Sequence, residues 1–165
     1  MPKPAARLLV LTGAAAALLL GGCGAQTSAT PAYSVDVVCQ QGLPFARAYD
    51  DVANRYDPQV DSAHRRLQAA RSVEDTRAAL AELARVLDEY DGALSGLKAP
   101  DAETARLVAA AVTAGAAMSL EARRIGASGD PGAAGQEQWP AITAKRGQAS
   151  RDLALKAAFF NAECG

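Results

Sequence analysis

Residues 72–97 read SVEDTRAALAELARVLDEYDGALSGL, and the spacing within them decides the fold. Val73, Thr76, Leu80, Leu83, Leu87, Tyr90, Leu94 and Leu97 recur at alternating steps of three and four. That rhythm holds them on one face of a helix and on no face of a strand. Ser72 followed by Asp75 is close to a capping box. Gly92, Gly96 and Pro100 supply stop signals at the far end.

The same period extends in both directions. Upstream, Phe45, Tyr49, Val52, Tyr56, Val60, Ala63 and Leu67 share a face, and Pro58 falls among them without shifting the phase. A proline there removes one backbone bond and crowds the preceding turn, so a kinked helix is expected. Downstream, Asp101 is an N-cap for a third helix carrying Leu107, Ala111, Ala114, Met118, Ala122 and Ile125 to a stop at Gly126. Residues 127–135, with glycines and proline around Asp130, read as the longest internal loop. A fourth helix runs from about Trp139 to Cys164, with Pro140 in its first turn and Ile142, Ala149, Leu153, Ala157, Phe160 and Cys164 on one face. Four helices of about 20–25 residues, roughly 30–37 Å each, predict an all-α fold. The expected architecture is an antiparallel up-down-up-down four-helix bundle over residues 39–165.

Composition agrees with helices. Hydrophobic residues make up 50 % of the 165, yet aromatics are only 5 %, because alanine, the best helix former and a small core filler, dominates. The formal charge is −1, and without Lys3 and Arg7 it falls by two to −3. Such a surface does not attract nucleic acid or an anionic membrane by charge.

The amino terminus reads as an address. Lys3 and Arg7 precede the apolar run Leu8–Leu20, which is shorter than the about 20 residues a spanning helix needs and fits a signal-peptide core. The run closes on Leu20, Gly21, Gly22 and Cys23. This tetrad resembles the lipobox of bacterial lipoproteins. The resemblance implies cleavage before Cys23, acyl chains on that cysteine, and a protein held on the outer side of the cell membrane. Gly24, rather than aspartate, after the cysteine favours the outer membrane of a cell that has two. The resemblance covers residues 1–23 alone, so residues 1–22 are read as a lipoprotein signal peptide and 23–38 as lipidated cysteine plus tether. Acyl chains anchor firmly, each buried methylene contributing about 0.8 kcal/mol.

Two further cysteines remain, in a compartment that permits disulfides. Cys39 lies just before the first helix and Cys164 near the end of the last. With an even number of antiparallel helices those ends share a pole, so Cys39–Cys164 is the expected disulfide. Two free thiols are the alternative, and no Cys-X-X-Cys spacing marks a redox pair.

Catalytic groups are sparse. His64 is the only histidine, with Asp57 and Asp61 seven and three residues before it. The three make at best a weak metal set, because zinc sites usually draw three or four His or Cys ligands. A haem held between His64 and Met118 is the other cofactor arrangement a bundle allows, although methionine on a core face is usually filler. The acidic clusters Asp50-Asp51, Glu74-Asp75 and Asp88-Glu89-Asp91 lie among arginines and fit solvated faces better than a carboxylate pair for glycoside hydrolysis. Arg65-Arg66 and Arg123-Arg124 lack interleaved aromatics, which disfavours nucleic acid. Trp139 is expected either to cap the core or to contribute to a contact site. The reading is a non-enzymatic, membrane-anchored envelope module without a cofactor, binding another envelope protein or a small apolar ligand. The alternative is a metal- or haem-binding helical bundle using His64.

Overall fold

The computed structural model describes residues 35–135 and 138–165, so the expected signal peptide, Cys23 and the expected tether up to residue 34 lie outside the described residues. The chain is all-helical, with no strand among the described residues. Four long helices, α1 (Val35–Ala69), α2 (Val73–Ser95), α3 (Ala102–Gly126) and α5 (Trp139–Cys164), are joined by one short helix, α4 (Pro131–Ala134).

Three expectations needed adjusting. Helix α1 starts at Val35 and is 35 residues long, so residues 35–38 belong to it rather than to the tether, and Cys39 sits inside it. It runs unbroken past both Pro44 and Pro58, because the stripe on either side of each proline stays in phase and packing outweighs one lost bond. Gly92 does not end α2 but lies exposed within it; the stop is Gly96, whose N–H reaches back to the Ala93 carbonyl, while Leu97 N–H closes on the Leu94 carbonyl. The expected loop after Gly126 contains α4. Asp130 caps it by accepting a hydrogen bond from the Ala133 N–H at 3.0 Å, and Pro131 supplies a preset first turn.

The long helices start as the sequence implies. Ser72 Oγ accepts from the Asp75 N–H at 3.0 Å, and Asp101 Oδ1 accepts from Thr104 N–H at 2.6 Å. Their apolar stripes face inward. Phe45, Tyr49 and Ala63 of α1, Leu80, Leu83, Leu87, Tyr90 and Leu94 of α2, Met118, Ala122 and Ile125 of α3, and Leu153, Ala157 and Phe160 of α5 are buried. Val73, at the start of the α2 stripe, is 41 % exposed, since the packed part of the stripe begins a turn later. Each long helix packs against two others: α1 on α2 and α5, and α3 on α2 and α5. Helix α3 is apolar and long enough to cross a membrane, the only such helix among the described residues, and its alanine-rich face is spent on α2 and α5.

Small residues set how close these helices come. A Cβ on Gly42 of α1 would lie 2.2 Å from Cδ1 of the Phe160 ring, so the ring occupies the space a side chain would take. Phe160 is fully buried and meets Phe45 edge-on at 6.2 Å. Beside this contact Cys39 and Cys164 are bonded, with their Cα atoms 5.2 Å apart and 125 residues of chain between them.

Two substitutions probe this end of the protein. Gly42→Ala should destabilise by about 1–3 kcal/mol, the usual cost of overpacking a filled core, read as a lower urea midpoint at unchanged slope. The double replacement Cys39→Ser with Cys164→Ser should cost on the order of 3–4 kcal/mol, the loop-closure entropy of a long bridge. Equal midpoints for variant and parent would contradict the packing account in the first case and the cross-link account in the second.

Candidate functional site

The ends of α1 and α5 remote from the disulfide leave space between them. His64 lies about 37 Å along the α1 axis from Cys39 at 1.5 Å per residue. There His64, Leu67 and Gln68 of α1 face Trp139, Pro140 and Thr143 of α5 across a groove of about 570 Å³. Ala144, Gly147 and Arg151 continue its wall along α5. The volume falls in the range of small-molecule sites, roughly 300–1,000 Å³. Gly147 keeps the wall low, because a Cβ there would meet nothing nearer than Arg151 Nη1 at 3.4 Å. Thr143 commits its hydroxyl proton to the Trp139 carbonyl at 2.6 Å, leaving its lone pairs free.

His64 is half-buried, and its Nε2 is fully buried without a hydrogen-bond partner. Burial pushes its pKa below the ordinary value and nearby Arg146 adds to that, while Asp61 pulls the other way and loses. The imidazole is therefore neutral at pH 7, since desolvation penalises its charged form. Trp139 is half-buried and joins the aliphatic cluster of Leu83, Leu87 and Met118, so it both caps the core and fronts the groove.

Along the same stretch of α5, on the side that meets α2 and α3, the core becomes polar. Asp91 of α2 and Arg146 of α5 are each more than nine-tenths buried and pair at 3.5 Å. The pair fits because α3 carries Gly115 beside it, where a Cβ would fall 2.1 Å from Asp91 Oδ1 and 2.5 Å from Arg146 Nη1. The Arg146 guanidinium also lies 5.3 Å from the centre of the Tyr90 ring, a cation–π contact. Burial first, and then the charge of Asp57, holds the Tyr90 phenol protonated. Asp91 is the weak member. Its Oδ2 has no partner, and burial outweighs the attraction of Arg146, raising its pKa to about 6.

The residues singled out from sequence do not converge. Asp57 and Asp61 are exposed, and no three His, Cys, Asp or Glu among the described residues come together as a metal set. Met118 is fully buried among Ala63, Leu83 and Leu87 rather than lining the groove with His64. Of the acidic clusters, Asp50 accepts from Asn161 at 3.0 Å, Glu89 pairs with Arg85 at 2.6 Å, and Asp88 is taken up by Arg123 and Ser119. The Asp91–Arg146 pair was missed, although the signal was present: each residue falls in step with the apolar positions of its helix. No protein-family model matches the chain, nor does any curated protein or solved structure.

The raised Asp91 pKa has a definite sign. The folded state holds this proton up to about pH 6, whereas in the unfolded chain it leaves near 3.8. Folded protein therefore gains relative stability as pH falls through 6 towards 4, and the cost of burying the carboxylate is fully present above 6. Asp91→Asn removes the titration. The stability of wild type relative to Asp91→Asn should rise by about 2 kcal/mol from pH 7.5 to pH 4.5, measured by urea unfolding. A difference independent of pH would show that Asp91 is not held in this way.

Proposed function

We propose that the chain is a lipid-anchored, extracytoplasmic binding module without catalytic activity, built as an antiparallel up-down-up-down four-helix bundle. The observation that carries it is the Cys39–Cys164 bond, which belongs to an oxidising compartment, behind an amino terminus that resembles a lipoprotein address through Leu20-Gly21-Gly22-Cys23. The short links between α1 and α2 and between α2 and α3 support antiparallel neighbours, and so does a bond that brings the first and last helix ends together. The groove beside Trp139 supplies a place for a small guest, and the tether of about ten residues gives the domain a reach of roughly 15–20 Å above the membrane.

A second reading keeps His64 as a metal or haem ligand, and the orphaned Nε2 of a neutral imidazole is what favours it. It needs further ligands from outside the groove walls, which offer no cysteine, acid or methionine. Elemental analysis and a visible spectrum of the purified protein separate the two readings, since a metal or haem lost in His64→Ala belongs to the second alone.

Anchoring has its own test. Cys23→Ser should move the protein from the membrane pellet to the soluble extracytoplasmic fraction and leave its melting temperature unchanged. A Cys23→Ser protein that still sediments with membranes would overturn the lipid anchor and turn attention to the apolar helix α3.

A further inference from the structure

The geometry points to a flat or short-chain organic carboxylate as the guest of the groove between α1 and α5, its apolar body against Trp139 and its carboxylate on Arg151. This deepens the binding-module reading and rests on it for the presence of a small guest. The charge of the walls selects the ligand class. Arg151 is the one charged side chain lining the groove, and no acid lines it, in a chain that is acidic overall. Arg151 donates to the Gln148 amide oxygen at 2.9 Å and has no carboxylate partner among the described residues. Arg66, Arg85, Arg123 and Arg124 are each closed by an acid, and among the described arginines with no ion pair Arg151 is the one that lines this groove. An exposed guanidinium whose fork is not closed by an acid matches a carboxylate in geometry as well as charge.

The rest of the wall suits an apolar body. Trp139, Leu67 and Pro140 give a largely apolar lining, and Gly147 leaves the approach to Arg151 open. Trp139 offers the largest ring face in the groove, which favours a planar or slender group over a bulky one. His64 presents its ring to the same space with Nε2 unsatisfied. A buried polar nitrogen without a partner is costly, which marks His64 as the polar element of the wall. A neutral alcohol or amide of the same shape lacks the charge for Arg151, and an organic cation is repelled by it.

Trp139 is the only tryptophan in the chain, so its emission reports directly on the groove. The test titrates membrane-extracted full-length protein, reconstituted in phosphatidylcholine vesicles, with 3-phenylpropionate and with 3-phenylpropionamide. The acid should change Trp139 emission saturably, with an apparent Kd about tenfold or more below that of the amide, as a charge-assisted contact implies. Arg151→Gln should abolish the preference for the acid. Gly147→Leu, which fills the groove from an open helical position, should abolish the response to both probes at a melting temperature no lower than that of the parent. No saturable response in wild type, equal affinity for acid and amide, or wild-type binding by Gly147→Leu would each overturn the assignment. Sedimentation of the vesicles reads anchoring independently: protein that binds the acid but stays in the supernatant defeats the anchor and leaves the ligand class standing.

Discussion

The structure depends on the contact between its first and last helices. Helices α1–α2 and α2–α3 are joined by short links, so their pairing is local, and α3 reaches α5 through α4. The α1–α5 contact closes the arrangement, and it joins parts of the chain up to 125 residues apart. Bringing such distant segments together costs entropy that short links do not. The seam is secured where that cost is greatest, by the Cys39–Cys164 bond and by Phe160 filling the space left by Gly42. Away from that bond the packing changes in kind. It ends in the groove between His64 and Trp139, and the same stretch of α5 carries Arg146 to Asp91 of α2. One seam is thus locked at one end and open at the other, which is how a small domain keeps a cavity without losing its fold.

The ion pair in the core is not there to add stability. Burying two charges costs more than a single contact at 3.5 Å returns, and the lifted Asp91 pKa records the shortfall. The pair is also selective about what packs against it. Only an α3 with glycine opposite the pair can pack there, because any side chain at 115 strikes both partners. A shift of α3 by one turn would place Ala111 or Ser119 against the charges instead. In an alanine-rich core, where one small side chain resembles the next, such a marker discriminates between registers that apolar packing alone leaves close in energy.

Much of this was legible in the sequence, and the parts that were not have physical reasons. The four apolar stripes, the caps at Ser72 and Asp101 and the Cys39–Cys164 pairing follow from spacing, because helical period and cap chemistry are local. The start of α1 did not, since the continuous apolar stripe begins only at Phe45. Pro58 sits inside one helix, as the unbroken phase of the stripe implies. Helix α4 was concealed by its glycines and proline, although Asp130-Pro131 is a cap followed by a preset turn. The groove escaped because it is a property of two helices at once. His64, Trp139 and Arg151 each have an ordinary role alone, and only the crossing of α1 and α5 brings them to one space. Asp91, Gly115 and Arg146 sit in phase with their apolar neighbours, which is the trace such a core pair leaves in a sequence.

The account as a whole stands on the chain's address and its oxidation state, and both can be read at once. Protein taken from cells with free thiols trapped by alkylation is analysed by mass spectrometry. The account predicts a chain beginning at Cys23, carrying acyl groups on that residue, with the peptides of Cys39 and Cys164 joined and unalkylated. A chain beginning at Met1 with all three cysteines alkylated would contradict it.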